Sequence, residues 1–347
     1  MRCARLTWQW AAAAGAALLL MAGMAAAEPE IEVLDFAALD GWAEDDHPAA
    51  LKVFRETCPD MEAPEWGPIC ALAADAADAR TFFELFFQPV VVSPRSEALF
   101  TGYYEPELNG ALVPDDRYRY PIHARPADLP NGERWYTRAE IAEGVLAGQG
   151  LEIAWLDDPV DAFFLHVQGS GRIRLPDGRV IRVGYAAKNG HEYRSVGQEL
   201  VRRGVYASHQ VSAQVIRNWV RRNPAQGRAL LNHNPSYVFF RKLDNVDADR
   251  GPLGAMNRPL TALRSLAVDP AHTPLGAPVW IEKDGAQPLR RLMVAQDTGS
   301  AIKGPQRADI FYGTGDAAGR EAGRVRDPGR LVVLLPIEQA FRMASGG

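Results

Sequence analysis

The chain has 347 residues, a formal net charge of -5 and 47% hydrophobic residues. That length holds one large globular domain or two smaller ones. The mild negative charge speaks against a general nucleic-acid binder, although a locally basic groove could still meet a polyanion.

The N-terminus, "MRCARLTWQWAAAAGAALLLMAGMAAAEPE", carries Arg2 and Arg5, then an apolar run, then Ala25-Ala26-Ala27. This is the layout of a secretory signal peptide over residues 1–27, with a transmembrane anchor as the competing reading. Cys3 precedes the run and no cysteine immediately follows it, so no acceptor for a lipid anchor is expected there. The expectation is an exported, periplasmic, soluble monomer without a stable membrane anchor. Cys58 and Cys70 remain, and an oxidising compartment favours a disulfide between them over two buried thiols. The histidines are scattered, none at ligand spacing from these cysteines, so neither metal nor cofactor is expected.

From residue 28 to about 90 the spacing predicts helices. "PAALKVFRETC" and "ICALAADAADARTFFELFFQPV" repeat apolar residues three and four apart, with Pro89 closing the second. Short β-branched and aromatic runs follow. "RIRLPDGRVIRVGY" reads as a hairpin, alternating about a Pro176-Asp177-Gly178 turn. Helices interrupt the strands. Thr137 and Glu140 form a capping box, Ser195 and Gln198 repeat it, and "SAQVIRNWVRRNP" carries one apolar face. After about 245 the chain returns to strand and loop in "SLAVDP", "APVWIEKD", "RLMVAQDTG", "ADIFYGTG" and "GRLVVLLP". The class is mainly β with packed helices.

Several motifs offer chemistry. "AQDTGS" resembles an aspartic-protease loop, but that chemistry needs two such carboxylates and the chain has one copy. Gly313, Gly315 and Gly319 lack the βαβ setting of a nucleotide fingerprint and read as turns. Ser170 sits in G-S-G, not in a nucleophile elbow. With Gln168 it reads as a neutral hydrogen-bonding group, or simply as a turn before the hairpin.

"FTGYYEPELNG" brings Thr101, Tyr103, Tyr104 and Glu105 together. Adjacent tyrosines in a strand face opposite ways, so at most one lines a given groove. The segment is either a core strand edge or a carbohydrate platform, to which Trp135, Tyr136, Trp155, Phe311 and Tyr312 could add. Asp269, Asp297 and Asp309 each follow an apolar run, where aspartates commonly form turns. Acid catalysis would instead require one of them to be held protonated by apolar or like-charged surroundings.

In order along residues 90 to 340, "FTGYYEPELNG", "HVQGSGRIRLPDG", "GYAAKNGHEYRSVG", "NPSYVFF", "GPLGAMNRPLTALRSLAVDP", "PLGAPVWI" and "QDTGSAIKGPQRADIFYGTG" resemble the lytic murein transglycosylase A family, whose C-terminal segment is the 3D domain. The resemblance implies a double-psi β-barrel domain built from residues 28–105 and 245–347, a second β-rich domain inserted at 106–244, and a groove between them. It implies lytic cleavage of peptidoglycan glycan strands, with Asp309 as the acid and Asp297 as its partner. Lys303 and Asp269 complete the expected groove with Thr101, Tyr103, Tyr104, Glu105, Gln168 and Ser170. A non-catalytic peptidoglycan-binding protein is the alternative.

Overall fold

The computed structural model of the protein describes residues 30–244, 246–247 and 249–345. The expected signal peptide lies outside the described residues. After β1 (Ile31–Val33), α1 (His47–Thr57) starts at Asp46, whose carboxylate accepts the N–H of Ala49. Next is α2 (Trp66–Asp75), and α3 (Ala79–Phe86) is capped in the same way by Asp78. Cys58 and Cys70 are disulfide-bonded and tie the end of α1 to α2. The second predicted helix is therefore two helices and then a strand, β2 (Phe87–Val92). Pro89 lies inside that strand and does not close a helix. It has no N–H to give, but its carbonyl accepts from Leu34 N at 2.9 Å.

The middle of the chain supplies β3 (Leu99–Glu105), β4 (Glu107–Ala111), β5 (Tyr120–His123), α4 (Arg138–Ala142), β6 (Glu152–Leu156) and α5 (Pro159–Gln168). The predicted hairpin is β7 (Ser170–Arg174) with β8 (Val180–Lys188), in the register Ile173 opposite Ile181. Then come α6 (Val196–Arg202), α7 (Ala213–Arg222), α8 (Pro224–Asn232) and β9 (Val238–Lys242). The Thr137–Glu140 capping box forms in full; at α6 only Ser195 plays its half. The last part is β10 (Ser265–Val268), β11 (Pro278–Lys283), β12 (Leu289–Thr298), β13 (Arg307–Thr314), α9 (Gly315–Ala322), β14 (Arg326–Asp327), β15 (Gly329–Pro336) and α10 (Ile337–Ala344). The glycines expected as turns partly open a helix: Gly315 begins α9. Gly319 lets that helix lie on β3, since a Cβ there would come within 2.7 Å of the Tyr104 ring.

Two sheets result. The larger runs β1-β2-β15-β11-β12-β10-β13-β3-β14 and the smaller β5-β6-β4-β7-β8-β9. Neither closes into a barrel ladder. The larger ends at β1 and β14, and in the smaller a single bridge, Ala124 to Phe240, brings its two ends together. The fold is thus a mixed helix and strand structure with two sheets. The larger sheet packs its apolar face on α1, α2 and α3, where Phe54, Trp66, Phe83, Phe87 and Trp280 are fully buried. Each such side chain contributes about 2–3 kcal/mol of burial. The smaller sheet and α5 to α8 have cores of their own.

The sheets meet where β3 of the larger runs, across Pro106, into β4 of the smaller. Glu105 sits at this joint with none of its surface exposed. Its carboxylate accepts from Arg172 Nε at 2.9 Å, Arg182 Nη2 at 3.0 Å and the Thr314 hydroxyl at 2.8 Å. The sequence reading placed Glu105 in the groove. The structure corrects this: two arginines of the β7–β8 hairpin have claimed both its oxygens, and it fastens one sheet to the other.

Candidate active site

The two aspartates owe their meeting to β10. In the parallel ladder of β10 and β12, Ala267 lies opposite Asp297; in the antiparallel ladder of β10 and β13, the same Ala267 lies opposite Asp309. One strand further, Asp309 lies opposite Thr101 of β3. Residues opposite one another across a sheet project from the same face. So Asp297, Ala267, Asp309 and Thr101 form one rung, with Ala267 between the two aspartates along it. Two strand spacings put their backbones about 10 Å apart, and no hydrogen bond among the described residues joins the two carboxyls, unlike the proton-sharing pair of an aspartic protease.

The carboxylates are held differently. Asp297 Oδ1 accepts from Ala255 N and Thr298 N, both at 2.9 Å, and Oδ2 accepts from the Tyr103 hydroxyl at 3.0 Å. Asp309 Oδ1 accepts from the Thr101 hydroxyl at 2.6 Å, and Thr101 in turn accepts from Arg307 Nη2 at 2.8 Å. Asp309 Oδ2 makes no protein hydrogen bond among the described residues and belongs to a carboxyl lining the groove.

Burial raises both. Asp297 is pushed up to about 6 by desolvation, against the pull of its three hydrogen bonds; the charge of Asp309 adds the least of the named effects. Asp309 is raised by desolvation too, opposed by the Thr101 hydroxyl and the Arg307 charge. Of the apolar and like-charged surroundings considered for such a carboxyl, burial is the main cause. Tyr103 is held well above its usual range by burial first and then by both aspartates, so it stays a neutral donor.

A groove of about 800 Å³ lies over this rung, between the two sheets. Asp297, Asp309, Gln168, Ser170 and Lys303 line it. Thr101 and Tyr103 stand behind the aspartates as their hydrogen-bond donors. Tyr104 points the other way, as strand alternation requires. Its hydroxyl accepts from Arg217 Nη2 at 3.2 Å, while its N–H donates to Gln168 Oε1 at 3.1 Å and so positions that groove side chain. Asp269 lies beneath the loop after β12, where its carboxylate accepts from Gly304 N at 2.9 Å and pairs with Lys303 at 3.5 Å. Those donors outweigh its partial desolvation and lower its pKa.

The aromatic platform differs from the one expected. Phe311 is buried against Tyr103, and Trp135 and Tyr136 pack on each other. Tyr185 and Tyr193, on and just after β8, line the groove instead and are 51% and 37% exposed. Tyr185, Tyr193, Arg307 and Ala267 all lie within the quoted motifs, but none was singled out there.

Comparison with known proteins identifies the family. Residues 99–241 match the MltA specific insert domain and residues 264–335 match the 3D domain. The membrane-bound lytic murein transglycosylase A of Escherichia coli K12 is 37% identical over 257 residues, 71% of this chain and 68% of the relative. The chain belongs to the lytic murein transglycosylase A family. The Vibrio cholerae transglycosylase A is 36% identical over 248 residues, spanning 68% of this chain and 65% of that relative's length. Among solved structures, a membrane-bound lytic murein transglycosylase from Agrobacterium tumefaciens superposes with a TM-score of 0.83 at 36% identity, covering 90% of this chain and 99% of that one. The Escherichia coli MltA with bound chitohexaose gives 0.72 at 29% identity, with 88% and 94% covered. The two transglycosylase A relatives and the Agrobacterium tumefaciens protein are named membrane-bound, while no helix among the described residues is long and apolar enough to cross a membrane.

Proposed function

We propose that this transglycosylase A family member cleaves the β-1,4 bond between N-acetylmuramic acid and N-acetylglucosamine in peptidoglycan, without water, using Asp309 as its one acid and base. The carrying observation is the asymmetry of the two carboxyls. Asp309 has one oxygen anchored and the other free toward the groove, whereas Asp297 has both oxygens occupied by donors. A general acid needs a free, proton-bearing oxygen within reach of the leaving group, and burial keeps the Asp309 carboxyl raised for that task.

Asp309 protonates the glycosidic oxygen as the bond breaks through an oxocarbenium-like state. As a carboxylate it then removes the proton from the muramoyl C6 hydroxyl, which attacks C1 and closes a 1,6-anhydro ring. The nucleophile belongs to the substrate, so attack is intramolecular and gains a high effective molarity. Asp297 supports the cation electrostatically. Gln168, Ser170 and Lys303 bind the sugar chain from the groove walls, and Asp269 fixes the Lys303 loop. No metal or cofactor enters the scheme.

Residues 106–244 form the inserted domain, and residues 28–105 with 245–347 the other. The two parallel pairs β10–β12 and β13–β3 around the aspartates support reading the latter as a double-psi barrel type. An exported, periplasmic monomer fits the leader composition, the disulfide and the substrate. Replacing Asp309→Asn should reduce turnover of purified peptidoglycan by ~10² or more; wild-type turnover in that variant would remove Asp309 from the role of acid.

A further inference from the structure

The groove has a second chemical character on the side of the smaller sheet. Arg138, the first residue of α4, lines it and is only 7% exposed. It has no acidic partner among the described residues. Nη2 donates to the Ser236 carbonyl at 2.7 Å and lies 3.4 Å from His166 Nδ1, and the guanidinium lies 4.8 Å over the Phe163 ring and 5.3 Å from that of Tyr237. Nε is buried with no hydrogen-bond partner, and no protein group among the described residues accepts from Nη1. The nearby His166 cannot serve as a counter-ion, being buried and neutral.

A desolvated cation without an anion is costly and is normally paired. Here burial lowers Arg138 to about 10, which still leaves it charged at neutral pH. Lys188 and Arg241, at the two ends of this wall, are also groove-lining cations with no ion pair among the described residues, and Tyr193 and Ser236 add hydroxyls. Among the described residues lining the groove, the only carboxylates are Asp297 and Asp309, on the other sheet. The wall is a set of donors awaiting an acceptor.

We propose that Arg138, assisted by Lys188, binds a carboxylate carried on the lactyl arm of the muramoyl residue. This rests on the peptidoglycan reading above. A planar guanidinium held by aromatic faces suits bidentate carboxylate recognition. The carboxylate has two sources: the lactyl group itself in stem-free glycan, or the acidic residues of an attached peptide stem.

The test is binding calorimetry in an Asp309→Asn background, so that affinity is read without turnover. Four probes are compared: chitohexaose, which bears no carboxylate; a stem-free hexasaccharide alternating N-acetylglucosamine and N-acetylmuramic acid; its stem-bearing form; and that form with its carboxyls amidated. Arg138→Gln should weaken carboxylate-bearing probes about tenfold or more and leave chitohexaose affinity unchanged within about twofold. Arg138→Lys should recover part of the difference, and Lys188→Ala, on the surface, should reproduce it more weakly. A loss already present in the stem-free hexasaccharide identifies the lactyl carboxylate; a loss confined to the stem-bearing probe and removed by amidation identifies the peptide. Equal loss on chitohexaose, or no loss on any probe, overturns the proposal. Wild-type turnover by the Asp309→Asn background would contradict the catalytic assignment alone, because the Arg138 comparison is made between affinities for the same probes in the same background.

Discussion

The two sides of the groove handle charge in opposite ways. On the larger sheet, two carboxylates sit on one rung and each is supplied with donors. On the smaller sheet, Arg138 is buried among aromatic rings and given no anion. Between them, at the joint, both carboxylate oxygens of Glu105 accept from the arginines of the β7–β8 hairpin. The lesson is that burial alone does not mark function. Glu105 is more buried than either groove aspartate, and its neighbours leave it nothing to do but hold the sheets together.

That contrast can be broken at its strongest point first. Glu105→Ala leaves Arg172 and Arg182 without their shared carboxylate, and removing one partner of a buried pair costs about 3–5 kcal/mol. Chemical denaturation should show that loss, and a change below about 1 kcal/mol would mean the joint is not held by this cluster.

The rung behaves in the reverse sense. Asp297 has a folded-state pKa of about 6, above the ordinary carboxyl value. A group raised in this way favours the fold while protonated, and its contribution is lost as pH rises toward and through 6. Asp297→Asn should therefore stabilise the protein by about 1–3 kcal/mol at pH near 7.5 and by little near pH 4. The amide oxygen can still accept from Ala255 and Thr298, and its nitrogen can donate to Tyr103. Activity should fall in the same variant. Destabilisation at neutral pH would show that Asp297 is a structural acceptor and not a charge kept in place for chemistry.

How far this was readable beforehand depends on distance along the chain. The capping box at Thr137, the hairpin about Gly178 and the cysteine pair are local, and spacing was enough to find them. The opposite facing of Tyr103 and Tyr104 followed from strand alternation alone. The rung was not readable, because the strand between Asp297 and Asp309 comes from residues 265–268, well before either. Glu105 was misplaced for a similar reason, since the arginines that claim it arrive from a hairpin some seventy residues later. Pro89 was taken for a helix stop because nothing local reveals that β1 and β15 come to flank it.

A smaller effect sharpens the comparison at one hydroxyl. Thr101 donates to Asp309 and so favours its ionised form. Thr101→Val removes that donor, which should lower turnover about five- to tenfold, the worth of one hydrogen bond. It should also raise the Asp309 pKa further. If Asp309 must carry a proton to act, activity disappears as pH rises through that pKa, so the alkaline limb of the pH–rate profile should move to higher pH in the variant. An unmoved limb would disconnect Thr101 from the acid.

The most direct measurement is made on the products. Purified peptidoglycan digested in heavy-oxygen water and resolved by mass spectrometry should yield muramoyl ends in the 1,6-anhydro form, one water lighter than reducing ends and free of the heavy isotope. Reducing ends carrying the isotope at C1 would mean that water is the nucleophile, and would contradict the single-carboxyl, water-free cleavage assigned to Asp309.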